Sequence, residues 1–185
     1  IIDGKEKTGI TIMYMAEGLD TGDMLLTREI LIDENDNFEN VHDKLAEASS
    51  KGLLRAVKLL EGGEATFTKQ GEYFTYAEKI LKDDCYIDFK SSARDTHNRI
   101  RGLSPIPLSF TKTAEGKLLK IVKAHISDKN IDGSIGQVVA LDSAIHVKCK
   151  EGIIALDIIV PEGKGRMNAK DYINGRKIAL GDILG

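Results

Sequence analysis

Hydrophobic side chains recur at three- and four-residue steps between positions 38 and 60, which is the period of an α-helix with one apolar face. The positions that share this face are Phe38, Val41, Leu45, Ala48, Gly52, Ala56 and Leu60. Asp36, with Glu39 three residues later, has the pattern of an N-terminal capping box, and Gly62-Gly63 supplies a left-handed exit. The pattern therefore predicts one long amphipathic helix.

Two runs rich in Ile, Thr, Leu and Met precede this helix, at residues 8–15 and 24–32, and both are predicted to be strands. After the helix, residues 64–84 keep neither period, so we expect a linker that lies over a surface. Its aromatic residues, Tyr73, Phe74 and Tyr76, are expected to anchor it against a domain. A second helix is predicted to begin near Ser92, capped with Asp95, and to end before two prolines.

Five strand-like runs follow, separated by short polar turns that mostly contain glycine, and a short helix is predicted near the end of the chain. The runs are residues 108–113, 117–126, 134–141, 144–149 and 153–160, and the helix is residues 169–177. Because closure removes exposed strand edges, five short strands favour a barrel of the oligonucleotide-binding (OB) type. The predicted organisation is an α/β part at 1–63, a linker at 64–84 and an OB-like barrel at 85–185.

Composition narrows the class of protein. The 185 residues are 42% hydrophobic and 30% charged, which is typical of a globular chain, and no apolar run approaches the ~20 residues of a membrane span. Two cysteines are too few for a disulfide framework or a structural zinc site, so we expect no metal and a cytoplasmic location. The chain opens on Ile1 without an initiator Met or a signal peptide, and a fragment is therefore expected.

Charge is divided unevenly along the chain. Residues 1–90 carry 11 Lys and Arg against 19 Asp and Glu, whereas residues 91–185 carry 15 against 10. Since a polyanion is attracted by a local basic face, the C-terminal half is the candidate for contact with nucleic acid.

The loop between the first two predicted strands contains Glu17, Asp20 and Asp23 among glycines. An Asp placed in such a loop can orient a base or accept a proton, since the backbone can approach a ligand closely. Asp and Gly are equally ordinary residues of a turn. The residues of the loop alone leave both interpretations open, with the turn favoured.

Several segments in order along the chain resemble the methionyl-tRNA formyltransferase family. The segments are residues 8–15 (TGITIMYM), 18–25 (GLDTGDML), 42–46 (HDKLA), 75–80 (TYAEKI), 87–89 (IDF), 100–103 (IRGL) with Pro105 and Pro107, and 163–167 (GKGRM). The LDTGD run is similar to other folate-dependent formyltransferases too, whereas TYAEKI with GKGRM is specific to the tRNA enzyme. The resemblance covers essentially the whole chain.

This resemblance implies the end of a doubly wound formyltransferase sheet, incomplete here, followed by the barrel. The implied activity is transfer of a formyl group from 10-formyltetrahydrofolate to the amino group of methionyl initiator tRNA. Asp20 matches the catalytic aspartate of the family, which acts with an Asn and a His. Those two residues lie upstream of Ile1 in the family pattern, so the chain alone is expected to be inactive.

The resemblance also implies that the C-terminal domain contacts tRNA. The basic residues expected to form that surface are Lys120, Lys123, Lys148, Lys150, Lys164, Arg166 and Lys170. We expect a monomer with no membrane partner. Two alternatives remain: a stand-alone RNA-binding module in which Asp20 is a turn residue, and a fragment of another folate-dependent formyltransferase, such as one that acts on a sugar nucleotide.

Overall fold

The computed structural model describes residues 1–18, 20–71 and 73–185 as two compact units. One unit, here named the N-unit, comprises residues 5–79. The other, named the C-unit, comprises residues 80–185 together with residues 1–4. No helix among the described residues is long and apolar enough to cross a lipid bilayer.

The N-unit is a β-hairpin covered by a helix. Strands β1 (Lys7–Met13) and β2 (Met24–Leu31) pair in antiparallel register, with one irregularity between Ile12 and Met13. Helix α1 (Phe38–Glu61) turns a stripe of small residues toward them, and a Cβ on Gly52 would meet the side chains of Ile10 and Ile12 at 3.1 Å. Close packing of helix on sheet therefore depends on small side chains, and both strands and the helix are confirmed.

The N-terminus of α1 differs from the prediction by one residue. The N-cap is Asn37, whose side chain accepts a hydrogen bond from the Asn40 backbone N–H at 2.9 Å, while Asn40 accepts from the Asn37 N–H at 3.1 Å. The predicted cap, Asp36, instead accepts from the Asp33 N–H and pairs with Lys44. Because Asp36 and Asn37 are adjacent and both carry capping side chains, the sequence alone could not choose between them.

Residues 64–71 and 73–79 lie beyond α1 and are mostly irregular, with one short pairing between Thr68 and Met24. The prediction that the aromatic residues anchor this segment is wrong: Tyr73 is fully exposed, and Phe74 and Tyr76 are 71% and 85% exposed. Phe74 and Tyr76 instead contact each other edge to face, with ring centroids 5.3 Å apart. The segment has no helical or strand period that would turn its three rings toward one surface.

The C-unit is built on one antiparallel sheet. Its elements are α2 (Ala93–Gly102), β3 (Ser109–Lys112), β4 (Leu118–Ile126), β5 (Val138–Leu141), β6 (Ile145–Lys148), β7 (Ile153–Pro161), β8 (Met167–Asn168) and α3 (Ala169–Asn174). The strand order is β3-β4-β7-β6-β5, and β8 pairs with β7. All five predicted strands are confirmed. Strand β8 was not predicted, because a strand of two residues is too short to show a hydrophobic period in the sequence.

Helix α2 packs beside β4, and it begins at the N-cap that the sequence predicts. Ser92 is the N-cap and accepts from the Asp95 N–H at 3.0 Å. Fully buried residues fill the space between helix and sheet, among them Ile100, Leu119, Ile121, Leu156 and Ile159. Burial of these aliphatic side chains supplies the main stabilisation of the C-unit.

The predicted OB-like barrel is not confirmed. Within the described residues no ladder joins β3 to β5, so the sheet does not close on itself. The edges are covered instead by the end of the chain: Val138 N–H donates to Asp182 O at 2.8 Å, and Gly185 N–H donates to Lys112 O at 3.0 Å. The β3 edge is also paired through the bridge between Tyr86 and Phe110, where Ile87 N–H donates to Phe110 O at 2.8 Å, so irregular segments rather than a β3–β5 ladder cover both edges.

Candidate functional site

The loop between β1 and β2 spans residues 14–23, and its backbone is closed at the base. Tyr14 N–H donates to Asp23 O at 2.9 Å. Gly22 is buried there, and a Cβ on it would lie 1.6 Å from Tyr14 O. No residue with a side chain can occupy that position without movement of the backbone. Leu19, which belongs to the same sequence motif, lies outside the described residues.

Asp20 stands at the exposed tip of this loop with a backbone φ of 52°. This is the left-handed region, which costs most side-chain-bearing residues energy and which Asp tolerates better than they do. The interpretation of Asp20 as a turn residue therefore holds for its backbone. Its carboxyl group is exposed, so it also remains available to a ligand or to a neighbouring base.

A side chain from far along the sequence holds the tip of the loop. Gln70 Nε2 donates to Asp20 O at 2.7 Å and to Gly22 O at 2.8 Å, and it lies 3.5 Å from Met13 Sδ. The same segment pairs with the start of β2, since Met24 N–H donates to Thr68 O and Thr68 N–H to Met24 O. Nothing in the sequence indicates this contact across 50 positions.

An open cavity of about 500 Å³ lies beside the loop within the N-unit. Its lining residues are Tyr14, Met15, Ala16, Thr21, Gly22, Asp23, Leu60 and Phe67. Phe67 packs edge to face on Tyr14 with ring centroids 5.7 Å apart. An apolar wall with polar groups at one side is the common form of a small-molecule site, and sequence reasoning missed the contributions of Leu60 and Phe67.

The histidines lie as expected in packed or surface positions. His42 is exposed on α1 and bonds to Asp43 at 3.1 Å, and His125 bonds to Asp157 at 3.0 Å. His97 is buried in α2. Among the described residues, no group of three or more His, Cys, Asp or Glu side chains could hold a metal ion.

His146 is the centre of a buried hydrogen-bonded network in the C-unit. Its Nδ1 lies 2.9 Å from Ser127 Oγ, and its Nε2 lies 3.0 Å from Asp142 Oδ1, while Lys129 pairs with the same carboxylate at 3.1 Å. The Ala144 N–H and His146 together lower the pKa of Asp142 far below its usual range. Since His146 is only 4% exposed, this Ser-His-Asp chain holds the segment after β4 against β6 and presents no base to a substrate.

Cys85 and Cys149 are buried free thiols. Burial raises the pKa of both thiols, so neither is prepared to act as a thiolate nucleophile.

The seven basic residues predicted to contact RNA are distributed along the length of the sheet. Lys120 lies opposite Val160 and Lys123 opposite Ile158, while Lys164 and Arg166 follow in the β7–β8 connection. Lys148 lies opposite Ile153, which is seven residue steps or about 23 Å along β7 from Val160, and Lys150 follows it. Lys170 is on α3. Two groups therefore lie at opposite ends of β7, with Lys123 between them.

The chain combines an α/β unit, whose loop contains Asp and Gly residues, with an antiparallel β unit. This combination is the fold that the chain shares with known structures. HypX from Aquifex aeolicus, solved in complex with tetrahydrofolic acid, shares it with a TM-score of 0.72 and 17% identity over 97% of this chain and 32% of HypX. Methionyl-tRNA formyltransferase from Clostridium thermocellum matches 69% of this chain and 55% of its own, with a TM-score of 0.51 and 19% identity. At these identities the likeness shows the fold alone.

The family described as "Formyl transferase, C-terminal domain" matches residues 79–177, and that described as "Formyl transferase" matches residues 1–57. The chain belongs to the formyl transferase family. The methionyl-tRNA formyltransferase of Syntrophus aciditrophicus (strain SB) is 40% identical over 187 residues, and that of Caldanaerobacter subterraneus subsp. tengcongensis is 41% identical over 185. Both alignments cover 100% of this chain and 60% of the relative. The predicted resemblance is confirmed, and the chain spans about 60% of the length of these relatives.

Proposed function

We propose that this chain is a segment of a methionyl-tRNA formyltransferase, the enzyme that transfers a formyl group from 10-formyltetrahydrofolate to the amino group of methionyl initiator tRNA in translation initiation. The observation that carries this proposal is the 40% identity that runs across the whole chain and so includes both units. A sugar-nucleotide formyltransferase would share the Asp20 loop, but it gives no reason for the GKGRM segment after β7.

We assign residues 1–63 to the end of the catalytic domain, residues 64–84 to a linker and residues 85–185 to a domain that contacts tRNA. The assignment of the last domain to the OB type also belongs to this proposal. It is supported by the five antiparallel strands of the sheet. We expect a monomeric enzyme in the cytoplasm, where initiator tRNA is charged and used.

The cavity beside the Asp20 loop fits one end of a folate-type formyl donor. Its aromatic and apolar walls, formed by Tyr14, Leu60 and Phe67, suit a flat heteroaromatic ring, and the carboxylate of Asp23 supplies a polar edge. When bound there, the donor supplies the activated formyl carbon. The residues of this chain would hold the donor and exclude water from one side of it.

In the proposed reaction the unprotonated methionine amine attacks the formyl carbon, and the bond between that carbon and N10 of the folate breaks, so that tetrahydrofolate leaves. The proton lost by the amine nitrogen is balanced by the proton that N10 takes up. Asp20, which matches the catalytic aspartate of the family, is assigned to orient the family histidine and to favour its charged form. An adjacent carboxylate has that effect on an imidazole by simple electrostatics. The left-handed backbone of Asp20 and the two carbonyls held by Gln70 define the direction of the Asp20 Cα–Cβ bond, from which the carboxyl group extends.

The Asn and His of the family pattern are not found at matching positions within residues 1–185. Removal of partners that act as a unit costs nearly as much as removal of the whole set. We therefore expect the chain by itself to transfer no formyl group.

The basic residues of the C-unit are assigned to tRNA. Lys120, Lys164 and Arg166 lie around one end of β7, while Lys148 and Lys150 lie at the other. A spacing of about 23 Å between the two groups suits an elongated backbone contact rather than one pocket. We therefore expect recognition of phosphates and shape.

The test of the proposed function is an Asp20→Asn substitution in the complete enzyme that contains this chain. Asn keeps the size and the left-handed tendency of Asp but cannot carry the negative charge. We expect formylation to fall by about 10² to 10⁴, the usual contribution of acid–base chemistry, while tRNA binding stays within twofold. Glu17→Gln is the matched control, since it removes an exposed carboxylate from the same loop.

Retention of formylation by the Asp20→Asn enzyme would remove Asp20 from the mechanism. A wild-type enzyme that binds RNA but formylates no methionyl-tRNA would favour the stand-alone RNA-binding module. Activity on an amino sugar nucleotide instead of tRNA would favour the other formyltransferase class.

A further inference from the structure

We propose that Gln70 is a positioning residue for formyl transfer, which holds the carboxyl group of Asp20 in its working direction; this rests on the proposed function of the Asp20 loop. Gln70 lies outside the loop, in the irregular segment after α1. Its amide nitrogen nevertheless reaches two carbonyl oxygens of the loop, Asp20 O at 2.7 Å and Gly22 O at 2.8 Å.

The chemistry of this contact selects a glutamine. A primary amide nitrogen has two hydrogens, and each can be directed at one of the two carbonyl oxygens. A carboxylate at the same place would offer no donor and would repel both carbonyls. Asn is one methylene shorter and cannot cover the same distance from the same backbone position.

The backbone that carries Gln70 is itself fixed to the hairpin. Thr68 exchanges two backbone hydrogen bonds with Met24, at 2.7 and 2.9 Å, and Phe67 packs on Tyr14. The backbone of Gln70 is therefore held close to the hairpin by the Thr68–Met24 pair, two residues earlier in the chain. Its side chain transmits that rigidity to the tip of the loop.

Asp20 needs such support because its backbone lies in the left-handed region, where a non-glycine residue is held only when its surroundings determine it. The base of the loop is closed by Tyr14 and Asp23, but that bond lies three residues from Asp20. The bond to Asp20 O acts on the peptide next to the carboxyl-bearing Cα. Loss of it would let the tip rotate without unfolding the N-unit.

The test compares Gln70→Met and Gln70→Glu in the complete enzyme. Both replacements preserve the length of the side chain and remove both donors, and Glu adds a charge that faces two carbonyl oxygens. We expect kcat for formylation to fall tenfold or more with Met and further with Glu, while KM for tRNA and for the formyl donor stays within twofold. Lys69→Met, an exposed change in the same segment, is the matched control.

Hydrogen exchange of the same enzymes gives a readout that does not depend on activity. The Tyr14 amide, which donates to Asp23 O at the base of the loop, should exchange at least tenfold faster in both variants, while amides within the β1–β2 ladder and the melting temperature stay at control values. This pattern, together with the loss of kcat, would establish Gln70 as a positioning residue.

Three results would overturn the proposal. Unchanged kcat with faster loop exchange would make Gln70 only a structural brace. A fall in kcat that comes with a lower melting temperature and faster exchange throughout the N-unit would make it a folding residue. Unchanged loop exchange would disprove the clamp itself. If the wild-type enzyme formylates nothing, the proposed function fails, and the exchange data still report separately on the clamp.

Discussion

Gly22→Ala is the substitution to which the Asp20 loop is most sensitive. The position is buried where the two ends of the loop meet, and an ideal Cβ would lie 1.6 Å from Tyr14 O and 2.8 Å from the carbonyl carbon. Side-chain carbons essentially never approach another heavy atom closer than 3.0 Å, so the two backbones must separate by about 1.4 Å. Both atoms belong to the backbone, which leaves no flexible side chain to move aside.

The magnitude follows from the hydrogen bonds that such a displacement breaks. The three at risk are Tyr14 N–H to Asp23 O at 2.9 Å and the two bonds from Gln70 to Asp20 O and Gly22 O. At about 1 kcal/mol each, their loss costs about 3 kcal/mol. Alanine also lowers the conformational entropy of the unfolded chain, which stabilises the folded state by about 0.4–1 kcal/mol. The net cost is about 2–3 kcal/mol, which is close to a hundredfold in the equilibrium between closed and open loop.

The cost should fall on the loop rather than on the whole unit, because the packing of α1 on β1 and β2 does not include Gly22. We therefore expect exchange of the Tyr14 amide, which donates to Asp23 O, to accelerate between tenfold and a hundredfold, and kcat of the complete enzyme to fall as the closed loop becomes less populated. The thermal midpoint should drop by only a few degrees. Exchange detected by NMR resolves the individual amides.

Gly71→Ala is the matched control for this experiment. A Cβ at Gly71 meets nothing within 4 Å, so the same chemical change should leave exchange and activity as they are. If Gly22→Ala gives the same loop exchange and the same kcat as Gly71→Ala, the close approach of the two backbones does not hold the loop, and the reasoning is wrong.

Two further predictions concern the C-unit. Lys164→Ala with Arg166→Ala should weaken tRNA binding and reduce the slope of log K against log salt by about one for each lost phosphate contact, and an unchanged slope would exclude these residues from the interface. The pKa of Asp142 is lower in the folded protein than in the unfolded chain, so its stabilisation is present above about pH 4 and is lost as the pH falls toward the folded value. Asp142→Asn should therefore lower the free energy of unfolding at pH 7 and flatten its decline at low pH, as measured in urea against the exposed control Asp132→Asn; parallel pH curves would contradict this. With the Asp142 side chain 45% exposed, the effect should be modest.

Helices and strands with a strong hydrophobic period were predictable from the sequence, whereas the contacts that distant segments make with them were not. The stripe from Phe38 to Leu60 and the Ser92 cap place α1 and α2 within a residue or two of their observed limits. Period and capping are local, so a single sequence contains them. The edges of the sheet depend instead on residues 182–185, which are irregular and distant in sequence from both β3 and β5. A barrel was expected because closure is one general solution for strand edges, whereas the chain uses another.

The aromatic residues of the segment after α1 show the same limit. An exposed Tyr73 and a buried one have the same neighbours in the sequence, and burial depends on whether another element arrives to cover the ring. The gain from covering a large ring made an anchor the reasonable prediction. Phe67, earlier in the same segment, does pack near a strand end, through its edge-to-face contact with Tyr14 just after β1.

Asp20 posed the hardest choice at the sequence level, between a turn residue and a residue with a chemical role, and the geometry shows that the two are compatible. Its φ of 52° is that of a turn, while its carbonyl is held by Gln70 from 50 positions away. A turn that needed only to reverse the chain would be satisfied by its own local bonds, such as that between Tyr14 and Asp23. The additional restraint acts on the backbone of Asp20 and so on the direction of its Cα–Cβ bond. Holding the Gln70 side chain in one conformation costs conformational entropy. That cost is explained if the direction of the Asp20 side chain matters for the proposed reaction.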